Sequence, residues 1–151
     1  VRMSRGYAAI GLDRPKCPAN IGGVMRACAC YGAAMIVVAG ERGHRAANCQ
    51  TDTTKAWKST PLILVDDLKS VVPYDCVPVA VEIISGAKNI VSYKNPERAF
   101  YIFGAEDGTL GDRILSWCRD VIYVPTTYCM NLAATANVVL YDRAMKAQKE
   151  A

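Results

Sequence analysis

Short apolar runs alternate with polar, turn-rich segments along the chain. Six runs have the length and β-branched content of buried strands: residues 7–12, 35–38, 62–65, 77–84, 100–103 and 121–124. The segments between them predict helices at residues 20–32, in a short stretch after Asp66-Asp67, and at 110–117 and 130–149. Continuous apolar strands separated by helices are typical of a parallel sheet covered on both faces, so we expect an α/β fold.

Residues at the ends of these segments refine the prediction. Asn20 is a candidate N-cap for the first helix, and Gly32 is a candidate C′ residue. Residues 40–60 are polar and predict a loop with short helical pieces.

The last helix has two apolar stripes, one of Met130, Ala134, Val138, Tyr141 and Met145 and one of Leu132, Ala136, Val139 and Leu140. A helix that is apolar on two sides usually buries one in its own core and the other against a partner. We therefore expect a homodimer, with a helix sunk in a monomer core as the alternative.

Length and composition place the chain among ordinary globular proteins. With 151 residues, 52% apolar and 21% charged, it predicts a single domain over residues 1–151. No apolar run approaches the roughly 18–20 residues of a membrane span, and the first five residues lack the apolar stretch of a signal peptide. Seven cysteines without a C-x-x-C pair favour a reducing, cytoplasmic location.

The charge is uneven along the chain. The net charge is only +4, but residues 1–60 carry nine Lys or Arg against three acids, while residues 61–151 carry nine against eleven. A basic first half suggests a surface that faces a polyanion, and an uneven solvated surface is the alternative.

Several common sites are absent from the sequence. It has neither the glycine-rich dinucleotide fingerprint nor a P-loop. With one histidine, His44, a zinc site would need cysteine ligands, but Cys28 and Cys30 on the first helix would point to different faces, so we expect no metal. A Ser-His-Asp triad would require His44, which has no nucleophile elbow near it. We interpret His44 as an exposed loop residue or a contact to a polyanion.

Three loops remain as candidates, each after a predicted strand: residues 18–26, 102–110 and 124–132. Ligands of open α/β sheets bind beyond the carboxyl ends of strands. Each loop taken alone also has a structural interpretation as a helix cap or a tight turn.

Together the loops resemble a known set of motifs. Asn20-x-Gly22-x-x-x-Arg26, then Phe103-Gly104-x-Glu106, then Pro125 followed by Met130-Asn131-Leu132 resemble the three ordered motifs of the SPOUT superfamily. The chain is most similar to the SpoU-like RNA 2′-O-ribose methyltransferases, from about Ile10 to Asp142. One motif would be weak evidence for the resemblance, but three motifs in order at suitable intervals are strong evidence.

The resemblance implies an α/β domain with a C-terminal trefoil knot, S-adenosylmethionine as cofactor and a dimer whose site is completed across the interface. The length matches minimal members similar to tRNA wobble-position methyltransferases. The cofactor-binding residues that it implies are Ile102, Phe103, Gly104, Leu110, Val124, Pro125, Cys129, Met130, Asn131 and Leu132.

By the same resemblance Arg26 is the catalytic residue. Asn20 is expected to hold the first loop and to orient Arg26 or the target ribose. Glu106 is expected to contact RNA or the partner subunit's Arg26, with a solvated loop acid as the alternative. A guanidinium stays protonated, so a grip on the RNA phosphate and stabilisation of the developing alkoxide fit it better than a base role. Candidate RNA-binding residues near the first loop are Arg14, Lys16, Arg42, Arg45, Lys55 and Lys58.

Three alternatives stay open: a ribosomal RNA substrate, an inactive knotted RNA-binding module, and a flavodoxin-like small-molecule binder. The second is raised by Cys129, which stands where the family usually has serine.

Overall fold

A computed structural model describes residues 6–50 and 58–150 of the chain. Within these residues seven strands form one sheet in the order β3-β2-β1-β6-β4-β7-β5. Every pairing in it is parallel. The strands are β1 (Tyr7–Asp13), β2 (Ile36–Ala39), β3 (Leu62–Val65), β4 (Val77–Val81), β5 (Lys88–Asn89), β6 (Arg98–Phe103) and β7 (Asp120–Tyr123).

Helices and loops cover both faces of the sheet. On one face Ile10 and Leu12 of β1 pack into a core shared with the first and last helices. On the other face Phe100 and Ile102 of β6 pack against Leu110 and its neighbours. The helices are α1 (Pro18–Tyr31), α2 (Glu41–Asn48), α3 (Gly111–Leu115) and α4 (Leu132–Glu150), with short 3-10 turns at Lys69–Val71 and Ile90–Ser92.

The predicted α/β class with a parallel sheet covered on both faces is confirmed. The trefoil knot and the single-domain assignment stay predictions. No helix in the described part of the chain is both long enough and apolar enough to span a membrane.

The predicted start of the first helix is wrong. Cys17, not Asn20, is the N-cap, and α1 begins at Pro18. The fixed φ of proline suits the first position of a helix, where its missing N–H costs nothing. Asn20 therefore lies in the first turn with its side chain available for other contacts. The predicted end is confirmed, since Gly32 adopts the left-handed conformation with φ of 72°.

The predicted short helical pieces within residues 40–60 are confirmed by α2, which spans residues 41–48. His44 lies on this helix, half-buried, and its Nε2 is 2.7 Å from the Val65 carbonyl oxygen. It joins α2 to β3 and is neither an exposed loop residue nor a free contact for a polyanion. Residues 51–57, which include Lys55, lie outside the described residues.

Several other boundaries differ from the predictions, and two of them lie at the carboxyl edge of the sheet. The fourth strand ends at Val81 rather than at residue 84, so Glu82 begins a loop, and the two-residue strand β5 was not predicted. The last helix starts at Leu132 rather than at residue 130. Its start is set by Asn131, whose side-chain oxygen accepts hydrogen bonds from the N–H groups of Ala133 and Ala134 at 2.9 and 3.2 Å.

Close packing of α1 on α4 brings the first and third loops together. A Cβ atom added at Gly23 would lie 2.7 Å from the Cβ atom of Ala133, closer than two methyl groups can approach. Glycine at this position therefore sets the distance between the two helices.

Replacing Gly23 with Ala should reduce the free energy of unfolding by about 1–3 kcal/mol, because the added methyl group overpacks the α1–α4 contact. Chemical denaturation of the wild type and the variant measures the difference. Gly108→Ala is the control, since a Cβ atom there meets nothing within 4 Å. Equal stability of G23A and the wild type would contradict the packing argument.

Candidate functional site

A cavity of about 410 Å³ opens at the carboxyl edge of the sheet. It lies where β6, β4 and β7 end and where the starts of α1 and α4 approach them. Loops that follow parallel strands meet at such an edge, which is the usual ligand position in open α/β sheets. The lining residues are Asn20, Val81, Glu82, Ile83, Phe103, Gly104, Ala105, Glu106, Gly108, Tyr123, Val124, Thr126, Cys129, Met130, Asn131, Leu132 and Thr135.

Glu106 fastens the loop after β6 to the start of α1. Its Oε1 accepts a hydrogen bond from the backbone N–H of Lys16 at 2.8 Å, and its Oε2 accepts one from the N–H of Cys17 at 2.8 Å. The Nδ2 of Asn20 donates to the same Oε2 at 2.9 Å. One carboxylate thus holds two backbone groups and one side chain of the first loop.

Asn20 passes this connection on to the third loop. Its Oδ1 accepts a hydrogen bond from Nδ2 of Asn131 at 2.8 Å, and Asn131 in turn caps α4. The side chains of Glu106, Asn20 and Asn131 are therefore linked by consecutive hydrogen bonds that connect all three predicted motifs.

The environment of Glu106 favours its charged form. Burial by itself would raise the pKa of this carboxyl group, but hydrogen bonds from the Lys16 N–H, the Asn20 amide and the Cys17 N–H outweigh it and lower the pKa below its usual value. These donors sit at the start of a helix, where a negative charge is favoured.

Seven of the ten predicted cofactor-binding residues line the cavity: Phe103, Gly104, Val124, Cys129, Met130, Asn131 and Leu132. Ile102 does not, because it points into the core on the opposite face of the sheet. Leu110 does not line the cavity either, because its side chain is buried in the same core while its backbone N–H donates to Glu82. Pro125 is exposed and lies outside the lining as well.

The sequence pattern did not indicate that the end of β4 belongs to the site. Val81, the last residue of β4, and the next two residues, Glu82 and Ile83, all line the cavity, but the predicted strand 77–84 placed them inside the sheet. The available signal was Glu82, a charged residue within an otherwise apolar run.

Arg26 lies on α1 with an exposed side chain, and it is not among the lining residues. It belongs to the same helix whose first turn is held by Glu106, so its position relative to the cavity depends on that attachment.

The predicted RNA-binding residues differ in their partners. Arg42 forms a two-pronged ion pair with Asp107, at 2.8 Å from each nitrogen, and also donates to the Arg14 carbonyl oxygen at 2.9 Å. Arg14 and Arg45 are exposed and make longer ion pairs with Asp13 and Glu41, at 3.6 and 3.7 Å. Lys16 and Lys58 are exposed.

Replacing Glu106 with Gln should lower stability by about 1 kcal/mol near neutral pH, because an amide accepts with one oxygen only and the site is partly solvated. Since the folded pKa is lowered, the wild-type advantage should be full above the usual glutamate pKa and disappear as the pH falls through the folded value. Denaturation of both proteins between pH 3 and 7 measures this.

Glu97→Gln, an exposed carboxylate just before β6, is the matched control and should follow the wild type across this pH range. A constant difference between the wild type and E106Q down to pH 3 would contradict the assigned charge state.

The fold resembles solved methyltransferase structures. The SpoU methyltransferase AviRb from Streptomyces viridochromogenes, in complex with the cofactor AdoMet, superposes with a TM-score of 0.81 at 21% identity, over 97% of this chain and 59% of that one. The chain thus spans less than two thirds of AviRb. The A. aeolicus TrmH/SpoU tRNA modifying enzyme gives a TM-score of 0.82 at 14% identity, over 98% and 80%.

A third structure, described as giving insights into the 2-OH methylation of C/U34 on tRNA, has a TM-score of 0.78 at 18% identity, over 95% of this chain and 92% of that one. A comparison with curated protein sequences found no match. The family model of the SpoU rRNA methylase family matches residues 7–141. That range contains all three motifs and the whole cavity lining, and the chain belongs to the SpoU rRNA methylase family.

Proposed function

We propose that this protein transfers the methyl group of S-adenosylmethionine to a ribose 2′-hydroxyl of RNA, with tRNA as the expected substrate. The observation that carries the proposal is the cavity at the carboxyl edge of the sheet, built by three motif loops that Glu106 and Asn20 join into one unit. The membership of this chain in the SpoU rRNA methylase family supports an RNA methyltransferase activity.

The lining of the cavity fits this cofactor. Apolar side chains, among them Val81, Phe103 and Leu132, suit an adenine ring, while Glu82, Asn20 and Thr135 offer polar atoms. The volume of about 410 Å³ lies within the range of small-molecule sites.

Gly104 also fits a ligand that approaches the backbone closely. A Cβ atom there would meet nothing nearer than Leu110 at 3.4 Å, an ordinary contact. The packing of the chain itself therefore does not require glycine at this cavity-lining position. AviRb, which has the same fold, is solved with AdoMet.

When bound, the cofactor supplies a sulfonium methyl group that is already activated for transfer, so the protein mainly aligns the reactants. In the proposal Arg26 holds an RNA phosphate next to the target ribose and stabilises negative charge on its 2′-oxygen. Asn20 and Glu106 position α1, and with it Arg26.

Two of the solved structures with this fold are described for tRNA modification, which supports tRNA as the substrate. The exposed basic residues near the first loop, Arg14, Lys16 and Arg45, give the surface a positive charge that suits a phosphate backbone.

We also propose a homodimer formed through α4. One stripe of this helix, Leu132, Ala136, Val139 and Leu140, is buried in the chain's own core. Of the other stripe Tyr141 is 53% exposed, and Ala134, Val138 and Met145 are half-buried, so an apolar surface remains for a second copy. In such a dimer the partner would complete the RNA-binding surface.

The proposed location is the cytoplasm, where an RNA substrate is available. All seven cysteines are free thiols, a state that a reducing compartment maintains.

Replacing Arg26 with Ala should reduce methyl transfer to bulk tRNA at least 100-fold and leave the affinity for S-adenosylmethionine within about twofold, since a lost charge-stabilising donor costs roughly 10²–10³ in rate. Labelled cofactor measures the transfer, calorimetry measures the affinity, and mapping of the labelled nucleotide identifies the modified atom.

Arg119→Ala is the matched control, because Arg119 is exposed and lies just before β7, at the opposite edge of the sheet. Wild-type turnover in R26A would refute the role of Arg26. Label in ribosomal RNA but not in tRNA would show that ribosomal RNA is the substrate. No binding of S-adenosylmethionine at millimolar concentration would favour the inactive RNA-binding module.

S-adenosylmethionine should slow the alkylation of Cys129 at least fivefold, because the exposed Cys129 lines the cavity that the cofactor would fill. Timed labelling followed by mass spectrometry measures this. Cys49 is the internal control, since it is exposed at the end of α2 and does not line the cavity. Equal labelling rates of Cys129 with and without cofactor would contradict the placement.

A further inference from the structure

Glu82 is a carboxylate of the cavity that neither the motifs nor the proposed reaction uses. It is the first residue after β4 and is half-buried in the lining. Its Oε2 accepts a hydrogen bond from the backbone N–H of Leu110 at 3.1 Å, and its Oε1 accepts one from the N–H of Ile83 at 3.0 Å. Each oxygen is thus fixed by one backbone donor.

Both oxygens keep acceptor capacity for a ligand. A carboxylate oxygen has two lone-pair sites, and at Glu82 the hydrogen bonds described above use one on each oxygen. None of the ion pairs among the described residues involves Glu82. An ionised carboxylate only accepts hydrogen bonds, so its complement is a pair of neighbouring donors.

The strand order places Glu82 away from the first loop. β4 is separated from β1 by β6, so the ends of β4 and β1 lie about 10 Å apart, two strand spacings. Glu106, at the end of β6, is already occupied by the start of α1. In the proposed reaction the methyl group faces α1 and Arg26, which leaves the β4 side for the part of the cofactor remote from the target ribose.

We propose that Glu82 accepts hydrogen bonds from the two ribose hydroxyls of the adenosine moiety of the cofactor; this inference rests on the proposed function. The vicinal hydroxyls are two donors at the spacing of the two carboxylate oxygens. The neighbouring Val81, Phe103 and Val124 provide the apolar surface that the attached adenine needs. A carboxylate at a strand end binds ribose hydroxyls in the same manner in dinucleotide-binding folds.

The consequence is a preference for the ribonucleoside. Each lost hydrogen bond to a charged acceptor weakens binding about tenfold or more. Glu82 therefore orients the adenosine and excludes ligands that lack the hydroxyl pair, while it takes no part in the methyl transfer itself.

The test is a thermodynamic cycle between residue and ligand, measured by calorimetry. The ligands are 5′-methylthioadenosine, which has no amino-acid part, and its 2′-deoxy counterpart. The wild type should bind the deoxy compound about tenfold more weakly. In Glu82→Gln this difference should fall below about twofold, whereas a merely structural effect of the substitution would weaken both ligands equally and leave the ratio unchanged.

Two comparisons separate the alternatives. If Glu82 instead bound the α-ammonium group of the cofactor, E82Q would weaken S-adenosylhomocysteine but not 5′-methylthioadenosine, and this result would overturn the proposal. Glu97→Gln, at the opposite edge of the sheet, should keep the wild-type ratio. Thermal unfolding of E82Q shows whether the loss of the Leu110 contact has disturbed the fold.

The wild type alone tests the proposal if E82Q fails to fold. Equal affinities of the wild type for 5′-methylthioadenosine and its 2′-deoxy counterpart would overturn the role of Glu82. Binding of S-adenosylmethionine without ribose discrimination removes this inference and leaves the proposed function standing. No binding of S-adenosylmethionine to the wild type overturns both.

Discussion

The site depends on one carboxylate that caps a helix from a distance of about ninety residues along the chain. Cys17, the N-cap of α1, makes no side-chain hydrogen bond to the first turn. Glu106 accepts hydrogen bonds from the backbone N–H groups of Lys16 and Cys17, and the partial positive charge at the helix start stabilises the carboxylate in return. The loops after β1 and β6 are thereby fixed against each other, and Asn20 extends the attachment to Asn131 at the start of α4.

This attachment gives the edge of the sheet two chemically different sides. On the side of α1, both oxygens of Glu106 are hydrogen-bonded to groups of the chain itself. The exposed Arg26 on the same side faces outward, where a polymer can reach it. Toward β4, Glu82 keeps acceptor sites next to apolar side chains, an arrangement suited to a small molecule with both a flat apolar part and donors. A large polyanion and a small cofactor can thus meet at one edge without competing for the same groups.

Most of the sheet was predictable because apolar, β-branched runs such as those around Ile36 and Ile122 have few other stable outcomes. Errors arose where a local signal competed with a distant contact. Asn20 looks like an N-cap, but Pro18 starts the helix earlier and the amide is used by Glu106 and Asn131 instead. His44 looks exposed among glycines and arginines, yet its contact with the Val65 carbonyl oxygen ties α2 to β3.

The α/β class, six of the seven strands and the three motif loops could be predicted from the residues alone, since they follow from local periodicity and short-range spacing. The contact of Glu106 with the start of α1, the ion pair of Arg42 with Asp107 and the place of Glu82 in the cavity emerge only in the folded chain. The reason is physical: these roles depend on which strand ends become neighbours in a parallel sheet. That adjacency comes from packing across long stretches of chain, which no local pattern of residues records.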